Sequence, residues 1–185
     1  DDRHREIEAH GPRRVVRLSD PAARAQAAAL LRAAQGPVLT EREAKAVLAL
    51  YGVPVVEERL VQSAEEAVQV ARQLGLPVAL KLESPDLPHK TEADVIRLGL
   101  ASDEAVRAAW TQIMANAARV QPAPRINGVL VQPMAGRGTE FMAGGRIDPL
   151  FGPLITAGPG GVMVELLDDR AVELAPITGR EALAM

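Results

Sequence analysis

The sequence predicts an α+β fold, and three observations indicate it. Between residues 20 and 118, stretches with helical periodicity alternate with short apolar runs that are rich in Val and Leu. From residue 126 onward, short β-type runs follow one another, separated by turns that contain Gly or Pro, which is typical of an antiparallel sheet. Hydrophobic residues make up 48% of the chain but aromatic residues only 2%, so the core must be aliphatic.

Four helices are predicted from their start and stop signals, and each begins after a capping residue. Asp20 is followed by a proline at the first helical position. Thr40 and Ser63 each open a capping box, with a glutamate three residues later, and Ser102 opens the fourth helix. The predicted helices cover residues 21–34, 41–51, 64–74 and 103–118.

Strands are predicted between and after these helices. We expect the runs 126–134 and 138–148 to form a hairpin through the Ala-Gly-Arg connection between them. The run 151–167 contains a glycine-rich turn, so it predicts a strand on either side of that turn. The other predicted strands are 53–61, 77–82, 95–100 and 171–177.

Reactive side chains are concentrated between residues 77 and 100, PVALKLESPDLPHKTEADVIRLGL. Lys81 lies within an apolar strand, where a bare ammonium group is costly unless an anion accompanies it. The loop that follows carries His89, Lys90 and Glu92, and a second apolar run closes it. The segment therefore predicts two strands that bracket a loop with an imidazole, an ammonium group and a carboxylate.

Lysine is rare in this chain, which has 21 Lys and Arg residues of which only Lys45, Lys81 and Lys90 are lysine. Two of the three lie within ten residues of each other and beside one of the three histidines. Lysine is a compact point charge suited to a phosphate group, whereas arginine is a planar fork. The alternative is that Lys81 is an ordinary strand lysine that extends its charge to the surface.

Composition excludes several classes of protein. The net charge is −3, no basic stripe is present and aromatic residues are few, so a nucleic-acid surface is not expected. The chain has no cysteine, which excludes disulfides, thiolate metal sites and thiol catalysis and fits a reducing cytoplasm. No apolar run approaches the roughly 20 residues needed to cross a bilayer, and the charged N-terminus is no secretory signal.

Several motifs occur together, in order, across Thr40–Ile177, and with them the segment resembles the ATP-grasp domain of the NDP-forming acyl-CoA synthetases. This group includes the beta subunit of ADP-forming acetyl-CoA synthetase. The ordered set is specific, although no single motif is decisive. The motifs are EAKAVLALYGVPV, PVALKLESPDLPHKTE with IRLGL, GVLVQPM, GTEFMAG with RIDP, FGPLI with a Gly-Gly turn, VELLDD and ELAPI.

The resemblance implies an ATP-grasp fold, with two α/β lobes and a nucleotide cleft between them. Residues 39–122 would form the N-terminal lobe and residues 123–185 the C-terminal lobe. Residues 1–38 would be a linker and a helix from an upstream region. The family domain extends further, so we expect the C-terminal lobe to be incomplete in this sequence.

The resemblance also implies nucleotide contacts. Lys81 matches the strand lysine that contacts ATP phosphates. Val131, Gln132 and Met134, with the proline between them, match the hinge that holds adenine. Glu140 matches the acid that accepts hydrogen bonds from the ribose hydroxyls; taken alone, it is an exposed strand glutamate.

Phosphate and Mg²⁺ contacts are implied on the C-terminal side. Gly160 and Gly161 would let backbone N–H groups approach phosphate, although the same glycines suit an ordinary hairpin turn. Glu165 and Asp169 match the acids that hold Mg²⁺, a cation that binds oxygen ligands, and the adjacent Asp168 can share that role. The alternative for these acids is a charged turn between strands.

His89 matches a loop histidine that carries phosphate in this family. The resemblance implies that it accepts phosphate from a histidine of the CoA-binding half and passes it to ADP, or the reverse. Neutral imidazole is a nucleophile near pH 7, and Lys81, Lys90 and Mg²⁺ would neutralise the charge of the transferred group. Without the family, His89 is a hydrogen-bonded loop histidine.

The implied function is the nucleotide-binding part of an ADP-forming acid–CoA ligase that uses ATP or ADP and Mg²⁺. Its partner would be a CoA-binding half, and the whole enzyme would act on a small carboxylic acid and CoA. Two departures from the family pattern favour an alternative, a degenerate regulatory or interaction module within an acyltransferase fusion. They are Asp94, where the family usually has glycine, and Pro159, which has no N–H to donate.

Two other readings have less support. Another kind of ATP-grasp carboxylate ligase is disfavoured by the HKTE and VQPM motifs. A P-loop NTPase is not expected, because no G-x-x-x-x-G-K-[ST] motif is present.

Overall fold

The computed structural model describes residues 20–34, 36, 38–87, 90, 92–136, 138–161 and 170–185. They form two compact units, the first ending at Gly136 and the second beginning after it. Among the described residues, no helix is long and apolar enough to cross a bilayer.

The first unit alternates helices and strands, as the sequence predicts. Its helices begin after the predicted capping residues Asp20, Thr40, Ser63 and Ser102, whose side-chain oxygens each accept a hydrogen bond from a backbone N–H of the first turn. The elements are α1 (Pro21–Ala33), α2 (Glu41–Leu50), β1 (Arg59–Val61), α3 (Ala64–Leu74), β2 (Val78–Glu83), β3 (Ile96–Leu100), α4 (Asp103–Ala117) and β4 (Gly128–Pro133).

The capping box predicted at Ser63 differs in one bond. The Ser63 hydroxyl accepts from the N–H of Glu66, as expected. The Glu66 carboxylate, however, accepts from the N–H of Gln62 at 2.7 Å, one residue before the cap. The Ser63 hydroxyl therefore still caps the helix, and the Glu66 carboxylate ties its first turn to the residue that follows β1.

An antiparallel four-stranded sheet with the order β1-β4-β2-β3 organises the first unit. Alternate residues of β2 and β4 point to one face, where α3 and α4 cover them. This face is the hydrophobic core, made of aliphatic side chains as the composition predicts. The core strand residues with no exposed surface are Val61, Val78, Leu80, Leu82, Val129 and Val131.

The second unit contains a three-stranded antiparallel sheet with the order β5-β6-β7 and one short helix. The β5–β6 hairpin is regular, running from the Phe141–Pro159 pair to the Asp148–Gly152 pair. The elements are β5 (Phe141–Asp148), β6 (Gly152–Pro159), β7 (Ala171–Leu174) and α5 (Gly179–Ala184).

The structure corrects two details of the predicted strands. The hairpin predicted over 126–148 is wrong: β4 lies between β1 and β2 in the first sheet, whereas β5 pairs with β6 in the second. A hairpin-like sequence connection does not reveal that β4 has partners on both edges far away in the chain. The strand predicted over 53–61 is confined to β1, because residues 53–58 have no strand partner.

Candidate functional site

Helix α2 brings the first charged groups of the site into place. Thr40 and Glu43 form a complete capping box, in which the Thr40 hydroxyl accepts from the N–H of Glu43 and the Thr40 N–H donates to the Glu43 carboxylate. The helix therefore begins at Glu41, and Lys45 lies one turn later on the same face, where its Nζ donates to Glu41 Oε1 at 2.7 Å.

Strand β2 supplies the facing groups. Because side chains alternate along a strand, Val78, Leu80 and Leu82 enter the core, whereas Lys81 and Glu83 point to the other face. Lys81 is paired there with Glu41, and Glu83 contacts Thr40. The alternation that builds the core thus also places the strand lysine against the start of α2.

All three lysines of the chain contact the same carboxylate. Glu41 Oε1 accepts from Lys45 Nζ at 2.7 Å and from Lys81 Nζ at 2.9 Å, and Glu41 Oε2 lies 3.4 Å from Lys90 Nζ. Each lysine side chain is between 13% and 22% exposed, so the ammonium groups are partly withdrawn from water. The sequence predicts that Lys81 and Lys90 share a site, and both do contact Glu41.

The ion pairs determine the protonation state of Glu41. Burial alone would raise its pKa, but hydrogen bonds from Lys45 and Lys81, together with their positive charges, outweigh burial and lower the pKa to about 2. Burial likewise works against the charged form of Lys45, yet the carboxylates of Glu41 and Glu58 raise the pKa of that ammonium group. Glu41 and Lys45 are therefore both ionised at neutral pH.

Lys45 connects this cluster to β4. Its Nζ also donates to Glu58 Oε2 at 2.6 Å and to the side-chain oxygen of Gln132 at 3.3 Å. Gln132 is a residue for which the sequence predicts nucleotide contact, and its side chain is only 5% exposed. Three predicted residues, Lys81, Lys90 and Gln132, are thus joined through Glu41 and Lys45.

A buried carboxylate fixes the start of α2. Glu83 has no exposed surface, and its oxygens accept from the Thr40 hydroxyl at 3.2 Å and from Arg42 Nε at 3.1 Å. The hydrogen bond to Glu83 raises the pKa of Arg42. Because a buried charge without partners would be costly, these bonds hold Thr40 and Arg42 against the strand, with Glu41 between them.

Lys45, Lys81 and Lys90 around Glu41 form what we call the lysine cluster. A cavity of about 540 Å³ opens beside it, within the first unit. Glu41 and Lys90 lie on its wall together with the hydroxyl-bearing residues Thr40 and Ser84. The other lining residues are Val38, Leu39, Pro85, Leu87, Glu92 and Ile96. A small polar ligand can therefore approach Lys90 and Glu41 from this side.

Asp94 adopts the backbone conformation that glycine usually takes, with φ of 51°. Its carboxylate accepts from Arg97 at 2.8 and 3.0 Å and from the Asn116 amide at 2.9 Å, and the bond from Arg97 lowers its pKa. The charge that distinguishes this chain from the family pattern is therefore compensated by Arg97, and its described partners do not include Lys81 or Lys90.

The other predicted hinge residues differ in accessibility. The side chain of Val131 is fully buried in the core, and its strand pairs with β1 on one edge and β2 on the other. Met134 follows the strand and is 39% exposed, with its sulfur accepting from the N–H of Gly99 at 3.4 Å. Of the two, Met134 has the side chain that a ligand can reach.

In the second unit, the structure brings Glu140, Gly160 and Gly161 together at the open end of the β5–β6 hairpin. The N–H of Gly160 donates to the carbonyl oxygen of Glu140 at 2.8 Å. A Cβ at Gly160 would lie 2.9 Å from the backbone of Glu140, and one at Gly161 would collide with the Glu140 carboxylate. Gly161 also has φ of +64°, so both positions require glycine.

Four residues with predicted roles lie outside the described residues: His89, Glu165, Asp168 and Asp169. Their roles stay predictions. No group of three or more His, Cys, Asp or Glu side chains with metal-binding geometry occurs in the part of the chain that the structure describes. The described donor set is instead suited to an anion, because three ammonium groups converge on one pair of oxygens.

Sequence reasoning missed Glu41, Glu58 and Glu83, and it assigned no role to Lys45. Glu41 looked like an ordinary first-turn acid, which favours helix starts in any protein. The available signal was the rarity of lysine, which marks Lys45 as well as the other two. Glu83 had no such signal, since an acid at the end of a strand is usually exposed.

The comparison with protein families agrees with the resemblance found in the sequence. The ATP-grasp domain family matches residues 30–185. The chain is 42% identical over 153 residues to the beta subunit of ADP-forming acetate–CoA ligase II from Pyrococcus furiosus, covering 82% of this chain and 65% of that protein. It is 38% identical to ADP-forming 4-hydroxybutyrate–CoA ligase from Nitrosopumilus maritimus, covering 79% of this chain and 21% of that protein.

Solved structures give the same result. A crystal structure of a Pyrococcus horikoshii protein matches with a TM-score of 0.81 at 40% identity, covering 88% of this chain and 69% of that chain. A dinucleotide-forming acetyl-coenzyme A synthetase of Candidatus Korarchaeum cryptofilum, in complex with coenzyme A and Mg-AMPPCP, matches with a TM-score of 0.69 at 35% identity. That match covers 88% of this chain and 68% of the other.

These matches confirm the predicted fold class and family, although the chain spans only 65% of the length of the Pyrococcus furiosus beta subunit. The family match covers both described units, and the three lysines lie in segments that carried the sequence resemblance: Lys45 on α2, Lys81 on β2 and Lys90 in the loop that follows β2. The chain belongs to the ATP-grasp domain family, and its relatives there are ADP-forming acid–CoA ligases.

Proposed function

We propose that this chain is the nucleotide-binding part of an ADP-forming acid–CoA ligase and that Lys45, Lys81 and Lys90 bind nucleotide phosphate. The observation that carries the proposal is the convergence of the three lysines within 3.4 Å of one carboxylate. Partly buried ammonium groups are suited to a multiply charged anion, because the low local dielectric strengthens the attraction.

The relatives support the same function. They are named as ADP-forming acetate– and 4-hydroxybutyrate–CoA ligases, and a structural neighbour is described with coenzyme A, Mg-AMPPCP and a phosphohistidine segment that points towards the nucleotide-binding site. The Pyrococcus furiosus relative is one subunit of its enzyme, and the structural neighbour binds coenzyme A. Both facts favour a CoA-binding half as the partner of this chain. The whole enzyme would then act on a carboxylic acid and CoA.

His89 is proposed as the residue that carries phosphate. Its imidazole nitrogen would attack the terminal phosphorus of ATP, forming an N–P bond as the P–O bond to ADP breaks, and the reverse step would return the phosphoryl group to ADP. Lys81 and Lys90 would neutralise charge on the phosphate oxygens, which is most of what phosphoryl transfer requires. Mg²⁺ would shield the phosphates further, with Glu165 and Asp169 proposed as its ligands.

The remaining contacts are proposed from the same resemblance. Gln132 and Met134 would contact the base. Val131 would hold this hinge in place through its strand and its buried side chain. Glu140 would accept hydrogen bonds from the ribose hydroxyls. Gly160 and Gly161 would allow close approach of phosphate to the backbone. Asp94, which favoured a degenerate module, is held by Arg97 and Asn116, so its charge is not an argument against phosphate binding.

Nucleotide binding is the experiment that tests the proposal. We expect ATP with Mg²⁺ to bind the purified protein and to raise its melting temperature. Lys81→Ala should weaken binding by about 10- to 100-fold, since a hydrogen bond to a charged group is removed. Isothermal titration calorimetry with ATP, ADP and GTP measures this, and Arg107→Ala, on the exposed outer face of α4, is the matched control for loss of a positive charge.

Absence of any calorimetric signal at millimolar nucleotide, for the wild type and both variants, would contradict nucleotide binding and favour the degenerate module. Equal weakening by Lys81→Ala and Arg107→Ala would mean that net charge, and not the lysine cluster, controls the interaction.

A second prediction concerns the carrier. With labelled ATP and Mg²⁺ in the intact assembly, we expect an acid-labile, alkali-stable label on this chain, because phosphohistidine is a phosphoramidate. His89→Ala should abolish the label. Label that persists in His89→Ala while peptide mapping places it elsewhere would end the carrier role without affecting nucleotide binding.

A further inference from the structure

Glu41 holds the position that an anionic ligand of the three lysines would need. Its two oxygens lie 2.7, 2.9 and 3.4 Å from the Nζ atoms of Lys45, Lys81 and Lys90. Phosphate oxygens form charge-assisted hydrogen bonds to ammonium groups at about 2.7–2.9 Å, the range of the contacts from Lys45 and Lys81. Glu41 also forms ion pairs with both Lys81 and Lys90.

The surroundings allow the side chain of Glu41 to move while the backbone stays. The residues on either side are fixed, since Thr40 and Arg42 both bond to the buried Glu83. The Glu41 side chain itself is 26% exposed and lines the 540 Å³ cavity. A change of its rotamers can therefore carry the carboxylate out of the cluster without disturbing the helix.

We propose that Glu41 is an internal counter-anion that keeps the three lysines paired when nucleotide is absent and that nucleotide phosphate displaces it. The inference rests on the proposed function and adds to it a competition between the Glu41 carboxylate and nucleotide phosphate for the three lysines. Part of the binding free energy of phosphate is used to remove Glu41 from the lysines. The carboxylate thereby lowers the affinity of the site for phosphate and prevents repulsion among three adjacent ammonium groups.

The test is the affinity of Glu41→Gln for phosphate ligands. Glutamine keeps the length and one acceptor oxygen but removes the charge that competes with phosphate. We expect ADP, ATP and inorganic tripolyphosphate to bind about tenfold more tightly to Glu41→Gln than to the wild type, as measured by calorimetry at constant ionic strength. Tripolyphosphate isolates the lysine cluster from contacts made by base and ribose.

Glu65→Gln is the matched control. Glu65 forms an exposed ion pair with Arg107, so this substitution removes the same charge at a position away from the lysine cluster. It should change the affinity by less than about twofold, since exposed charges are screened. Glu41→Asp is the second variant in case Glu41→Gln does not fold. The shorter side chain cannot reach all three lysines, so binding should be tightened to a smaller extent.

The outcomes separate the two proposals. If the wild type binds nucleotide and Glu41→Gln binds it equally or more weakly, the competition is overturned while the proposed function stands. If only the Glu41 variants bind tripolyphosphate, the competition is supported. If neither the wild type nor any Glu41 variant that folds binds tripolyphosphate or nucleotide, both proposals are overturned.

Discussion

The two units of the molecule contain sheets of the same antiparallel kind, yet they differ in how much they bury. The first unit packs two helices on its sheet and contains nearly all of the buried hydrophobic residues. Among the described residues of the second unit, only Leu154 and Ala157 are buried hydrophobic residues. Strand pairing alone therefore does not make a core; in the described residues, buried hydrophobic side chains are concentrated where α3 and α4 cover a sheet.

The difference extends to the candidate sites. The lysine cluster of the first unit depends on a helix held against a buried strand, so its geometry is tied to the core. In the second unit, Glu140, Gly160 and Gly161 lie at the end of a hairpin, where the two glycines make room for the Glu140 side chain. We therefore expect the first site to be sensitive to core packing and the second to be sensitive to local backbone changes.

The largest expected effect comes from the core of the first unit. Leu80→Ala should lower the free energy of unfolding by about 3–5 kcal/mol, because Leu80 is fully buried and its truncation leaves a cavity. Leu150→Ala in the second unit should change it by less than about 0.5 kcal/mol, since Leu150 is 87% exposed. Urea unfolding followed by circular dichroism measures both. A similar loss for the two variants would contradict the contrast in burial.

A smaller effect is expected at the hairpin of the second unit. Gly160→Ala places a Cβ 2.9 Å from backbone atoms of Glu140 and Phe141, which should destabilise the hairpin by about 1–3 kcal/mol. Gly144→Ala is the control, because a Cβ there meets nothing within 4 Å. Hydrogen exchange of the β5 and β6 amides should accelerate in the first variant alone. Equal protection in both would show that the close approach is not required.

The smallest expected effect is a dependence of stability on pH through Glu41. Its pKa falls from 4.5 to about 2 on folding, so its contribution is complete above about pH 4.5 and is lost as the pH falls towards 2. After allowance for solvent screening, we expect about 1–2 kcal/mol over that interval. Urea unfolding of the wild type and Glu41→Gln at several pH values isolates it. Parallel pH profiles would contradict the low pKa.

Sequence reasoning was most successful where the signal is local. The caps at Thr40 and Ser102 predicted the helix starts, because each depends on residues three positions apart. It failed for strand partners: the residues around Gln132 looked like one arm of a hairpin, yet their partners lie in β1 and β2. Pairing depends on distant segments, and one sequence contains no direct record of it.

The candidate site divides in the same way. Lys81 and Lys90 were predicted together because they are close in the chain. Lys45 is 36 residues earlier than Lys81, and only the hydrogen bonds that both lysines donate to Glu41 place it beside them. Glu83 is the extreme case, since nothing in its sequence context predicts complete burial.

The Thr40 hydroxyl forms one hydrogen bond to a residue nearby in the chain and one to a residue far away in the chain. It accepts from the N–H of Glu43, which starts a helix, and it donates to Glu83, which lies 43 residues later on a strand. Serine could make both bonds, whereas valine, with nearly the same shape, could make neither. The identities of positions 40 and 83 should therefore change together during evolution, as a donor and its acceptor, even though neither residue is among those proposed to bind nucleotide.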